Sequence, residues 1–263
     1  MSCSVLVGLH SQIFEAATQR VCPEFRLTSL PLAEAAPEHY ELYLPLTLAD
    51  YAALRGSAGM KFMKKAIMPT AAAVEICDDK LAFVETLQGT RLHPFIPKRL
   101  HACPSTPFVL KKRRGNFGRG TVVVEDAVGR ERADERLASG DYFAQDLVIG
   151  DVEYATHILI SRGEIVYHFT TVFRMDNMQA IKGIDQNGKY IGTFDADKYL
   201  FIFQDVLNLV GFKNGICCFD YKISDGIPRI FEINPRFGGS LTMDMSAFLR
   251  AYAHAVTMSQ EAG

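Results

Sequence analysis

The run Phe231-Glu232-Ile233-Asn234-Pro235-Arg236-Phe237-Gly238-Gly239-Ser240 constrains this chain more than any other stretch. Side chains alternate between the two faces of a strand, so Phe231 and Ile233 are expected in a core while Glu232, Asn234 and Arg236 share the opposite face. A carboxylate and an amide oxygen so spaced reach one Mg2+, which prefers oxygen ligands and usually keeps phosphates in its shell. Arg236 then lies beside the phosphates.

Upstream, the segment from Gly215 through Asp220 to Gly226 reads as a strand and a turn, with Pro228 to Asn234 returning as its hairpin partner. That pairing sets Asp220 opposite Glu232. Asp220, Glu232 and Asn234 together supply two charges and one neutral oxygen, enough for a metal that a triphosphate also holds. An edge hairpin with a solvated polar face is the plain alternative. Arg236, the glycine pair and Asp220 favour the metal site over it.

The second group is Val109-Leu110-Lys111-Lys112-Arg113-Arg114-Gly115-Asn116-Phe117-Gly118-Arg119-Gly120, a strand running into a cationic turn. Gly115, Gly118 and Gly120 permit positive φ, letting backbone N–H groups converge on an anion, while lysine places a mobile charge on phosphate oxygens. The segment lacks Gly-x-x-x-x-Gly-Lys-Ser/Thr, so it is neither a P-loop nor a dinucleotide fingerprint. A solvated basic hairpin is its bland reading. Between the two groups lies the stretch Gln145 to Tyr154, in which Leu147, Val148 and Ile149 offer an adenine ring an apolar slot and backbone hydrogen bonds; a buried strand ending in a turn is the alternative there.

As an ordered set these motifs resemble the ATP-grasp superfamily, which includes biotin carboxylase, carbamoyl phosphate synthetase and D-alanine:D-alanine ligase. The Glu-Ile-Asn-Pro-Arg-Phe-Gly-Gly-Ser run is most similar to the carbamoyl phosphate synthetase version, and the resemblance spans roughly Lys65 to the end. It implies that Lys111, ending a strand before a flexible loop, and Lys80, in Asp79-Lys80 at a helix start, approach the phosphates. Gly115, Gly118 and Gly120 form the closing loop. Gln145, Asp146, Leu147 and Val148 form the adenine hinge, and Glu153 accepts from the ribose hydroxyls. Asp220, Glu232 and Asn234 hold Mg2+, or Mn2+ in its place. Arg236 and Arg174 are the implied catalytic arginines, Arg174 on the γ-phosphate or the acceptor carboxylate. Arg113, Arg114, Phe117 and Arg119 depart from the small residues usual in that loop.

The activity so implied is an ATP- and Mg2+-dependent ligase joining a small carboxylate to an amine or thiol through an acyl-phosphate. A nucleotide-binding regulatory protein without ligation, or a small-molecule phosphotransferase, are the alternatives. The fold implied is an ATP-grasp fold of two α+β lobes at residues 69–263, its smaller nucleotide lobe at about 100–148, preceded by a small parallel α/β unit at 1–68.

Composition is consistent with such an enzyme. A chain of 263 residues with 48% hydrophobic content buries a substantial core. The 28 Lys plus Arg nearly balance 30 Asp plus Glu, so a net charge of -2 gives no long-range attraction to nucleic acid or an anionic membrane. Small-molecule carboxylate and amine substrates are the expected partners, with a homodimer left open. Val5 to Leu9 is too short for a signal segment, and no other stretch approaches the ~18 apolar residues of a membrane span, so a cytoplasmic location is expected. The six cysteines at 3, 22, 77, 103, 217 and 218 show no metal spacing and read as free thiols, Cys218 sharing a strand face with Asp220. His157 and His168 read as structural strand residues, since neither has an identifiable acid–base partner.

Local patterns place helices near Gln12 to Arg20, Leu48 to Arg55 with Thr47 as N-cap, Thr70 to Ile76, Asp78 to Leu87 and Asp195 to Leu209 with Asp195 as N-cap. Strands are expected at Phe108 to Lys112, Thr121 to Glu125, Tyr142 to Leu147, Glu153 to Ser161 and Glu164 to Arg174, with a charged helical insert near Arg130 to Ala138. Met175 to Thr193, containing Gly183 and Gly188, reads as a polar loop.

Overall fold

A computed structural model describes residues 2–101, 105–115, 118–182 and 188–261; Cys103, Asn116, Phe117 and Gly183 lie outside them. The chain opens with β1 (Cys3–Val7), α1 (Ser11–Thr18), β2 (Phe25–Ser29), β3 (Leu42–Leu44) and α2 (Leu48–Arg55). The three strands form a parallel sheet in the order β2-β1-β3, as their alternation with helices predicts. Thr47 caps α2 through its side chain on Asp50 N, and Asp50 returns the bond, completing a capping box that satisfies two orphan amides.

Next come α3 (Ala71–Asp78) and α4 (Lys80–Leu87), separated at Asp79, whose carboxylate accepts from Leu81 N and Ala82 N and so caps α4. The strands β4 (Arg99–Leu100), β5 (Phe108–Lys112), β6 (Val122–Val124) and, after α5 (Ala127–Ala138), β7 (Tyr142–Asp146) make a four-stranded sheet in the order β4-β7-β5-β6. Its pairings are antiparallel, and Phe108, Leu110, Val124, Ala133 and Ala144 form its own small core.

The largest sheet takes β8 (Val152–Ser161), β9 (Glu164–Arg174), β10 (Lys189–Thr193), then, past α6 (Leu200–Leu209), β11 (Gly215–Ser224) and β12 (Ile227–Asn234). Its order is β10-β9-β8-β11-β12, antiparallel throughout. One face, carrying Ile158, Ile160, Cys217, Phe219 and Tyr221, packs on α3, α4 and α6 in the main core. Phe203 and Phe219 meet there at 4.6 Å between ring centroids; burying each such ring is worth roughly 2–3 kcal/mol. The other face is divided. Leu159 and Ile216 pack with α7 (Met245–Glu261) and the N-terminal unit, while Glu153, Ala155, His157, Cys218, Asp220 and Lys222 line a cavity.

Three local expectations are corrected. The Met175 to Thr193 loop ends in β10, which pairs with β9 because Lys189 and Tyr190 reach Arg174 and Phe173. Asp195 does not cap α6, since a 3-10 turn at Asp197–Tyr199 intervenes and Asp195 accepts from Asp197 N instead. Phe231 does not enter the core. Asp220 pairs with Glu232 but Tyr221 pairs with Ile230, so Phe231 is the extra residue of a β-bulge and turns to the cavity beside Glu232.

Candidate active site

The cavity, of about 310 Å³, lies between the two antiparallel sheets: β5 and β7 contribute Val109, Lys111 and Gln145, and the larger sheet contributes the polar row just named. Parity explains that row. Glu153, Ala155 and His157 alternate onto one face of β8, and Cys218, Asp220 and Lys222 do the same on β11.

Asp220 and Glu232 are direct cross-strand partners. Like charges so placed repel, and three neighbours offset this. Asn234 Nδ2 donates to Asp220 Oδ2 at 2.9 Å and Glu232 Oε1 at 3.0 Å. Lys80 Nζ lies 3.3 Å from Glu232 Oε2, and Lys182 Nζ lies 2.6 Å from Asp220 Oδ1. Burial raises the Glu232 carboxyl, yet Lys80 and Lys111 outweigh that and hold it below its ordinary range. Two carboxylates in register suit Mg2+, which takes oxygen ligands, while Asn234 turns its Nδ2 to both of them and its Oδ1 accepts from Arg236 at 3.4 Å. Among the described residues no group of three or more His, Cys, Asp or Glu is placed to hold a metal, so a divalent ion here needs phosphate oxygens to complete its shell.

Lys111 is buried, and its Nζ donates to Phe231 O at 2.9 Å. Burial, aided by Lys80, lowers its pKa to about 8 although Glu232 pulls the other way. Lys80 Nζ donates to Gly115 O at 2.7 Å, so the first loop glycine is tied to the start of α4. Gly115, Gly118 and Gly120 all adopt positive φ, and Gly118 lines the cavity. Arg113 grips Asp79 through two bonds and Arg114 pairs with Glu75 and Asp78. Those two departures from the small-residue pattern therefore anchor the entry to the loop on α3 and α4.

At the other end of the cavity, Asp146, Leu147 and Val148 line the wall, and Gln145 Nε2 is committed to Pro97 O at 2.8 Å. Lys222, 1% exposed, donates to Val148 O at 3.3 Å and Ala180 O at 2.9 Å, tying the hinge to the loop after β9. Glu153 is buried beneath them. Burial raises its pKa, and Lys182 opposes this from 3.7 Å while donating its backbone N–H to Glu153 Oε2. Burial lowers the Lys182 ammonium, but Asp220 and Glu153 more than compensate and raise it.

The sequence-predicted residues Lys111, Gly118, Gln145, Asp146, Leu147, Val148, Glu153, Asp220, Glu232, Asn234 and Arg236 all line this one cavity. Lys80 and Gly115 stand directly behind it through the contacts above, and Gly120 lies further along the same loop. Arg174 is not brought there: it is exposed on the surface and faces Asp151 at 3.7 Å, because its neighbour Phe173, paired with Glu153, takes the cavity face of β9 and turns Arg174 to the other. His168 pairs with Asp197 at 3.0 Å, away from the cavity. Cys218 does line it, with its thiol raised well above its ordinary pKa by burial and by Asp220.

Sequence reading missed Lys182, Lys222 and the site position of His157. Lys222 carried a signal, being a lysine in an apolar strand on the same parity as Asp220. His157 shares the parity of Glu153. Lys182 sits in a polar loop with no periodicity to mark it.

No protein-family model matches the chain, and no curated protein does. Solved structures do. The fold is similar to D-alanine–D-alanine ligase from Bacillus anthracis (TM-score 0.61, 14% identity, covering 100% of both chains). It is also similar to N5-carboxyaminoimidazole synthetase from Staphylococcus aureus complexed with ADP (TM-score 0.62, 15% identity, 96% of this chain and 78% of that one). L-amino acid ligase from Bacillus licheniformis matches at TM-score 0.58 and 16% identity over 92% of this chain and 69% of its own. The chain thus has the ATP-grasp fold, with α+β lobes and a parallel α/β unit before them. Among the described residues no helix is long and apolar enough to cross a membrane.

Proposed function

We propose that this protein is an ATP- and Mg2+-dependent ligase that activates a small carboxylate as an acyl-phosphate and transfers it to an amine. The observation that carries this reading is the convergence of Lys111, from one sheet, with Asp220, Glu232 and Asn234, from the other, around a single cavity. Similarity to folds whose members include ligases with ATP or ADP bound supports it; the residues themselves make the chemical argument.

In this reading adenine lies against Leu147 and Val148, Glu153 accepts from the ribose, and Lys80 and Lys111 neutralise the phosphates. Asp220, Glu232 and Asn234 would hold Mg2+, which would supply neutralising charge for phosphoryl transfer. Arg236, beside Asn234, stands next to the transferring group. Lys182, which now neutralises Asp220 from 2.6 Å, would be released from that carboxylate if a dication were held there. Catalysis then rests on positioning and preorganised charge, as phosphoryl transfer requires. Domain limits at residues 1–68 and 69–263 are part of the same proposal.

The experiment is thermal denaturation with Mg-ATP, followed by phosphate release with carboxylate and amine mixtures. The melting temperature should rise with Mg-ATP, less so in Glu232→Ala, and phosphate should appear only with both substrates present. Binding without turnover across a broad panel would favour a regulatory nucleotide-binding protein.

A further inference from the structure

A second hollow, of about 440 Å³ and open to solvent, shares Pro97, Asp146, Leu147 and Val148 with the nucleotide cavity. That volume lies in the range of small-molecule sites. Beyond the shared wall its lining is its own: Ile96 and Ile149 are apolar, while His93, Lys98, Ser224 and Arg229 are polar. The nucleotide reading uses none of these six.

The rim carries both signs of charge, left unanswered. Asp146 N donates to Lys98 O at 2.9 Å, so the two residues face each other across β7 and the start of β4. Their side chains nevertheless form no ion pair, and neither Lys98 Nζ nor the Asp146 carboxylate has a partner among the described residues. Both side chains are exposed. Arg229 donates to Pro94 O, which fixes its guanidinium at the rim and leaves its remaining donors without partners among the described residues. Below the rim, Ile96 is buried, whereas Ile149 is 48% exposed and presents an aliphatic surface to water.

This charge pattern selects a ligand class. An inorganic phosphate would set like charge against Asp146, and a simple amine would leave Lys98 and Arg229 unanswered. A zwitterion with an apolar body answers all three. We infer that the hollow is an effector site for a free apolar α-amino acid, its carboxylate toward Lys98 and Arg229, its ammonium on Asp146 and its side chain against Ile96 and Ile149.

Occupancy tightens nucleotide binding, because the shared wall is the adenine hinge. Gln145 Nε2 donates to Pro97 O at 2.8 Å, and Arg229 joins Pro94 to β12, the strand of Glu232 and Asn234. A ligand bridging Asp146 to Arg229 therefore clamps the hinge to that strand before the nucleotide arrives, and linkage makes the effect mutual. The inference goes beyond the ligase reading: it requires a nucleotide in the main cavity but no ligation.

Methyl-labelled full-length protein tests it, with Ile149 reporting the hollow and Val109 the nucleotide cavity. Leucine, isoleucine, valine, methionine and phenylalanine are added singly, and at least one should move the Ile149 resonance. The amide of that amino acid lacks the carboxylate and its deaminated acid lacks the ammonium, so each should bind at least about tenfold more weakly. By calorimetry the effective amino acid should lower the Kd of Mg-ADP about fivefold. Lys98→Met should melt like the parent and bind Mg-ADP equally well alone, but lose the response to the amino acid. Movement of Val109 alone would put the amino acid in the nucleotide cavity and overturn the inference. So would a still Ile149 with all five, equal binding of the amide or the acid, a full response in Lys98→Met, or an unchanged Kd for Mg-ADP. If Mg-ADP does not bind at all, the proposed function and the coupling fall together, while the Ile149 response still decides whether the site exists.

Discussion

Lys182 Nζ sits 2.6 Å from Asp220 Oδ1 and 3.7 Å from Glu153 Oε1, so one ammonium from the loop after β9 serves two carboxylates of the cavity. It occupies the position where a dication would be needed once Asp220 had to face phosphate. In the proposed nucleotide complex a dication would replace this ammonium at Asp220.

Replacing Lys182 by alanine leaves Asp220 and Glu153 without their shared ammonium. The ligand-free variant should lose on the order of 2 kcal/mol of stability, since removing one partner of a mostly buried pair strands the other. Mg2+ alone should then raise the melting temperature of Lys182→Ala more than that of the parent protein. Equal metal responses in the two would show that Lys182 and the ion do not share a place.

The Lys111 ammonium, lowered to about 8 mainly by burial, predicts a pH signature. Between about pH 8 and its ordinary value of 10.5 the unfolded chain holds a proton that the folded protein has released, so this group makes stability rise with pH across that window. Phosphates favour the charged lysine, so Mg-ATP binding near the lower end of the window should take up a proton. Calorimetry in two buffers of different ionisation enthalpy measures it, and identical heats would exclude the uptake.

Gly238 has an ordinary extended backbone (φ -94, ψ 137), so an alanine there is limited by space and not by φ. Its Cβ would meet the His157 ring, which is wedged between β11 and Ser240 and cannot rotate away. Gly238→Ala should cost about 1–3 kcal/mol as overpacking, while Gly239→Ala, which meets nothing within 4 Å, should leave the melting temperature unchanged. Thermal denaturation of both variants separates the two positions.

Lys222 ties Val148 O to Ala180 O from inside the sheet. Lys222→Met keeps the stem and removes both bonds, so the hinge and the following loop should loosen together. Hydrogen exchange should speed up at Gly150 N, which is bonded to Met178 O at 2.8 Å, and nucleotide affinity should fall. Unaltered exchange at Gly150 would mean the tie carries no load.

Much of this arrangement is legible in the sequence because period-two patterns fix faces. Asp220 opposite Glu232, β5 ending at its lysines and the parallel N-terminal unit all follow from alternation, turns and caps. The bulge at Phe231 is not legible, since it depends on how β12 registers against β11 and leaves no mark in the residues themselves. Arg174 lies outside the cavity for a different reason: Phe173 takes the cavity face of β9 opposite Glu153, which turns the next residue away. Lys182 and Ser240 act through loop paths set by tertiary packing, which no local period encodes. His157 was visible by parity, but its partners lie 83 and, through Ser240, 69 residues apart in the chain.

Tyr252 in α7 donates to Tyr43 O at 2.8 Å and accepts from Ile67 N at 3.1 Å, bonds that span 209 and 185 residues. The N-terminal sheet is thus fastened to the C-terminal helix α7. Its apolar side stays open until α7 docks, and loops this long close slowly. A fragment cut after residue 68 should remain largely unstructured, and native assembly of β1 to β3 should keep pace with the docking of α7.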